Sequence, residues 1–113
     1  MSISQRKIKT LVDIREINDL FLKGKQQQIF PIRVHYIATQ ETKTLFTVSK
    51  KKLPKAVDRN RVKRILKDLY FKTYSKQETK QKYHLGFVYL SSKLTSHQEM
   101  AKSMERIMHK INQ

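Results

Sequence analysis

Residues 50–67, KKKLPKAVDRNRVKRILK, place the strongest limit on how this chain can fold. They hold nine Lys or Arg residues and a single acid, Asp58. The second half repeats at helical spacing. At about 100° per residue, Val62, Ile65, Leu66, Leu69 and Tyr70 fall within an arc of about 140°. Asn60, Arg61, Lys63, Arg64 and Lys67 fall outside it. Such a helix has one side suited to a core and another suited to water or a polyanion. Cations at that spacing repel one another until something neutralises them. Runs of β character flank the helix, TLFTVS at residues 44–49 and YHLGFVYL at residues 83–90. Strand, helix, strand predicts a β-α-β crossover and a sheet with helices packed on it.

Asp13 and Glu16 have capping-box spacing ahead of a helix through Ile14, Ile17, Leu20 and Phe21. Gly24 is placed for a left-handed C-cap. Residues 26–28 read as a loop. In a strand over residues 29–38, Ile32, Val34 and Tyr36 alternate with Arg33, His35 and Ile37. Pro31 marks its start or an edge position. After a polar turn at residues 40–43, the strand at 44–49 is expected to pair with it as a hairpin. Pro54 suits the first turn of the basic helix, which is expected over residues 56–74. Residues 75–82 are polar and aperiodic, a loop. Ser96 and Glu99 form a second capping box before a last helix. Met100, Met104, Ile107, Met108 and Ile111 share one face of that helix, and a Met stripe is more often core than a cofactor groove. The order α-β-β-α-β-α, without repeats or linkers, predicts a single α+β domain over residues 1–113. It would have two layers and a mostly antiparallel sheet, with residues 1–10 flexible.

Length allows one modest core, and the 38% hydrophobic content is enough for it. The net charge is +16, which puts nucleic acid first among partners and an anionic membrane second. With no Cys there is no disulfide and no thiolate metal site. His84, His97 and His109 lack metal-site spacing, and nine scattered acids suggest no hydrolase centre. No catalytic or metal-binding residue is therefore expected. No segment has the length of a signal or spanning helix, so the expected location is cytoplasmic. A solvated charged face normally mixes signs, and the basic helix barely does. Arg grips phosphate in a bidentate way, and Asn60 adds an amide able to read a base edge or a 2′-hydroxyl. Phe21 and Tyr36 suit either a core or a base-stacking cleft.

Residues 56–70, AVDRNRVKRILKDLY, resemble the signature segment of the bacterial ribonuclease P protein subunit. Val48-Ser49-Lys50-Lys51 is similar to the strand end before that signature. Leu20-Phe21 followed by Gly24 is similar to the end of the family's N-terminal helix. The similarity covers residues 11–74 well and the C-terminal third loosely. It implies a ribosomal protein S5 domain 2-like fold whose crossover is left-handed, against the usual rule. It also implies a protein that binds a catalytic RNA. That RNA, with Mg²⁺ held mainly by itself, removes the 5′ leader from precursor tRNA. By position, the implied RNA-binding residues are Lys50, Lys51, Arg59, Asn60, Arg61, Lys63, Arg64 and Lys67. The implied leader cleft takes Ile17 and Phe21 from the helix, with His35 or Tyr36 from the strand. Ile17 stands where the family usually has a second Phe, and Phe46 occupies a region where it often has Gly. The implied partners are ribonuclease P RNA and precursor tRNA, with no membrane and no required protein partner. Size, charge and fold class fit a structural RNA-binding protein, such as a small ribosomal protein, equally well. A helix-turn-helix DNA binder fits less, because strands flank the basic helix.

Overall fold

The computed structural model describes residues 9–76 and 81–111. In chain order the elements are β1 (Lys9–Thr10), α1 (Ile14–Lys23), β2 (Lys25–Ile29), β3 (Ile32–Thr39), β4 (Lys43–Val48), α2 (Ala56–Lys76), β5 (Lys82–Tyr89) and α3 (His97–Ile111). Leu85, Gly86 and Phe87 are buried in succession, so both faces of β5 are covered. A strand covered on both faces belongs inside a sheet. The order is accordingly β1-β4-β5-β3-β2, with β5 at the centre.

β5 runs antiparallel to β3, from Ile32↔Tyr89 to Thr39↔Lys82, and parallel to β4, from Lys43↔His84 to Val48↔Tyr89. The hairpin expected between the strands at 29–38 and 44–49 therefore does not form, because β5 lies between them. Strands two places apart in a sheet are about 10 Å apart, a gap that a three-residue link can bridge. Residues 40–42 cross the start of β5 in this way. Thr39 Oγ1 donates to the Glu41 carbonyl at 2.9 Å, and Gln81 Nε2 donates to the Thr39 carbonyl at 3.1 Å. The β4-α2-β5 unit is the expected crossover, two parallel neighbours joined through a helix. The antiparallel ladders, of eight and five residue pairs, exceed the parallel ones, of six and two.

Both sheet edges depart from expectation. Residues 26–28 are not a loop but part of β2, paired antiparallel with β3. An edge strand with a solvated outer side needs few apolar residues, and polar edges resist unwanted pairing. Hence KQQQI has no strand alternation, and its one apolar residue, Ile29, packs against the core cluster. At the other edge, Lys9 and Thr10 form a short strand that runs parallel to Lys43 and Thr44. The Leu11 N–H donates to the Thr44 carbonyl at 2.8 Å, and the Leu11 side chain is buried. Helix α2 continues to Lys76, beyond the expected 74. Residues 1–8, residues 77–80 of the expected loop, and residues 112–113 lie outside the described residues.

One face of the sheet carries the two-layer core. Ile32, Val34, Leu85 and Phe87 meet Val62, Leu66 and Tyr70 of α2, and Met100, Met104, Ile107 and Met108 of α3. The Met stripe is core, and α3 begins as its sequence suggests, with Ser96 Oγ accepting from the Glu99 N–H at 3.2 Å. Helix α1 crosses the other face and covers part of it. Its start is capped by Asp13 Oδ1, which accepts from the N–H groups of Arg15 and Glu16 at 2.8 and 3.3 Å. Leu20 is fully buried against Gly86, and Glu16 pairs with Lys43 of β4 at 3.0 Å.

Gly24 does not adopt the expected left-handed conformation. Its φ of −71° and ψ of 160° lead straight from α1 into β2, while its N–H still bonds the Leu20 carbonyl at 3.0 Å. What requires glycine is space. A Cβ there would sit 2.4 Å from the Leu20 carbonyl oxygen and 2.9 Å from that of Tyr36. Both are backbone atoms and cannot rotate aside. Gly24→Ala is expected to cost about 1–3 kcal/mol by overpacking, read as a lower urea midpoint with unchanged slope. An unchanged midpoint would mean that this corner opens freely.

Candidate nucleic-acid interface

Helix α2 is anchored by the arc its sequence marks out. Val62, Leu66, Leu69 and Tyr70 are buried and Ile65 is half-buried. Tyr70 leans on Phe87, which stacks on Phe46 at 5.2 Å with rings 8° from parallel. Docked in this way, α2 turns Asn60, Arg61, Arg64 and Lys67 outward, all exposed, with Lys63 half-buried beside them. Among the described residues, no acid forms an ion pair with Arg61, Lys63, Arg64 or Lys67. Among the described residues, no ion pair relieves their repulsion.

Helix α2 begins at Ala56, so Pro54 lies before it rather than in its first turn. The linker is held from both sides. Ser49 Oγ accepts from the Lys51 N–H at 3.0 Å, and the Ser49 carbonyl accepts from the N–H of Leu53, a buried plug. Arg59 Nη1 donates to the carbonyls of Leu53 and Pro54 at 2.9 and 2.7 Å. Arg59 thus braces the linker with part of its guanidinium, a role its motif does not advertise. Lys50 and Lys51 are exposed on this braced turn.

Lys63, Arg64 and Lys67 border a groove of about 380 Å³ between α2 and the sheet edge, with Phe46, Phe71 and Thr10 on its other sides. Lys67 Nζ stands 6.0 Å from the centre of the Phe71 ring. Cations beside half-buried aromatic rings can hold phosphate and ribose together.

Ile17, Phe21, His35 and Tyr36 do not gather in one cleft. Neighbours on a strand point to opposite faces, so His35 and Tyr36 cannot share one. Phe21 lies over His35, ring centres 4.5 Å apart and tilted 58°, on the face that α1 crosses. A Cβ on Gly86 would come 3.2 Å from Phe21 Cζ, so glycine lets the helix approach here. His35 is buried and neither ring nitrogen has a hydrogen-bond partner. Burial, reinforced by the neighbouring Arg33 cation, lowers its pKa, so the imidazole is neutral at pH 7. Ile17 is half-buried, one turn before Phe21. Tyr36 belongs to the other face. It meets Tyr83 edge-on at 5.6 Å, and the pair lines a cleft of about 440 Å³ with Lys23, Lys25 and Lys110. Tyr83 and the three lysines were not evident from sequence spacing, because the cleft joins α1, β2, β3, β5 and α3.

Among the described residues, no group of three or more His, Asp or Glu side chains is placed to hold a metal ion, and no helix is long and apolar enough to cross a membrane. A family model for Ribonuclease P matches residues 6–112. The chain belongs to the ribonuclease P family. It is 40% identical over 60 residues to the ribonuclease P protein component of two Porphyromonas gingivalis strains, an overlap of 49% of this chain. It spans 44% of the length of those relatives. The fold is similar to that of the Staphylococcus aureus RNase P protein, with a TM-score of 0.76 and 18% identity over 90% of this chain and 94% of the other. It is equally similar to a mutant of that protein with defective mRNA degradation activity, with a TM-score of 0.77 and 15% identity over 96% and 91%. This ribonuclease P family member thus carries the mixed five-stranded sheet and flanking helices of those structures.

Proposed function

We propose that this chain is the protein subunit of a cytoplasmic ribonuclease P, binding the catalytic RNA and the 5′ leader of precursor tRNA. The observation that carries the reading is the cationic face of α2, where Asn60, Arg61 and Arg64 stand exposed without an acidic partner among the described residues. That face, with Lys63, Lys67, Lys50 and Lys51, takes phosphates of the RNA subunit, while Arg59 keeps the linker and helix in register. Mg²⁺ held by the RNA supplies water activation and leaving-oxygen stabilisation. The protein's part is to offset repulsion between two RNAs and to hold the substrate. For the leader, the Tyr36–Tyr83 cleft is the better seat, since it joins aromatic rings with three lysines. Ile17, Phe21 and His35 lie on the opposite face of the sheet and are not part of that seat. No further protein partner is needed.

The test is reconstitution with a ribonuclease P RNA and precursor tRNA at low Mg²⁺. Added protein is expected to restore cleavage, because its cations replace part of the counterion atmosphere. Tyr36→Ala is expected to weaken precursor binding about tenfold and mature tRNA binding hardly at all, since only the precursor has a leader. Equal losses for both tRNAs would refute the leader cleft. Cleavage by the protein alone, surviving removal of all RNA, would refute the whole reading.

A further inference from the structure

Phe30 is the only exposed Phe or Tyr side chain among those described, at 63%. Its backbone is nonetheless fixed. Ser103 Oγ of α3 donates to the Phe30 carbonyl at 2.9 Å, and the Leu90 N–H donates to the Pro31 carbonyl at 2.7 Å. Pro31 itself is buried. The ring is therefore held outward by a pinned turn.

Opposite it, residues 91–96 fold around the buried Tyr89. The Tyr89 hydroxyl donates to the Lys93 carbonyl and accepts from the Thr95 N–H at 3.0 Å. The Lys93 N–H donates to Ser91 Oγ at 3.0 Å. This loop leaves Lys93 and Leu94 exposed on the rim. Between turn and loop lies a cleft of about 550 Å³, lined by Phe30, Leu94, Leu90, Lys52, Lys93 and one acid, Glu99. An aromatic face, an aliphatic wall and two cations match a base and its phosphate. Lys52 sits on the braced turn that leads into α2, so the cleft continues the cationic surface. It is separate from both the α2 groove and the Tyr36–Tyr83 cleft, whose lining residues it does not share.

We propose that this cleft holds one unpaired nucleotide of the RNA subunit, its base on Phe30 and Leu94 and its phosphate at Lys52 and Lys93. The inference rests on the reading of the chain as a subunit bound to that RNA. The chain contains no Trp, so Phe30→Trp places a single reporter in the cleft. Its emission is expected to be quenched as a ribonuclease P RNA transcript is titrated in, with an endpoint matching a gel-shift titration. Phe30→Ala is expected to bind that RNA about tenfold more weakly with an unchanged melting temperature, and Lys93→Ala to lower the salt slope by about one. Unchanged emission at saturation, with Arg61→Ala still weakening binding, would overturn the cleft and leave the functional reading standing. Quenching by precursor tRNA alone, or by self-association seen in sedimentation, would overturn it in favour of a leader or protein contact. Failure of the unaltered protein to bind the RNA would remove both readings.

Discussion

Replacing Arg61 and Arg64 together by alanine is expected to weaken binding to ribonuclease P RNA about a hundredfold at physiological salt. Each is exposed, on the same helix, and without an acid to satisfy it. A charge-assisted hydrogen bond to phosphate contributes about 1.5–3 kcal/mol, so two such losses reach that size even at the lower bound. Each lost contact also removes about 0.7–0.9 from the slope of log affinity against log salt. The melting temperature should not fall, since neither side chain is packed. Affinity and slope that both match the unaltered protein would leave the α2 face as ordinary solvated surface.

The second large effect lies beneath that face. Phe87 is fully buried, stacks on Phe46 and leans on Tyr70 of α2. Phe87→Ala should cost about 3–5 kcal/mol, from lost transfer energy and the cavity left behind. A small domain commonly has only about 5–15 kcal/mol in all, so chemical denaturation should show a large fall. RNA binding should fall with it as temperature rises, because Tyr70 is part of what docks α2. A loss below about 1 kcal/mol would mean that the aromatic cluster repacks, and that α2 is held chiefly by Val62 and Leu66.

Elements with one covered face were legible in the sequence. Helix α1 announced its start at Asp13, α3 at Ser96, and α2 its buried arc, because the 3.6-residue period survives wherever a helix has a dry side. Strand β2 was not legible, since an edge made of Lys and Gln buries too little to impose alternation. The sequence points to a β3–β4 pairing that does not form, because a short polar link normally signals a hairpin. Only the double-sided burial of β5 reveals a strand inserted between them. The cations of α2 were visible through their sign imbalance. The partition of His35 from Tyr36 was available from strand alternation. The Tyr36–Tyr83 cleft was not, because Lys23, Tyr83 and Lys110 are far apart in sequence and meet only through the fold.

The central place of β5 sets an order of events for a chain made from its N-terminus. Until residues 82–89 leave the ribosome, β3 and β4 have no shared neighbour, and α2 lacks the surface of Leu85 and Phe87 on which it settles. The most cationic part of the molecule is therefore synthesised well before it can be held in shape. A nascent chain at that stage is a loose polycation beside abundant RNA. Late insertion of one strand converts a general attraction for phosphate into a surface with fixed spacing.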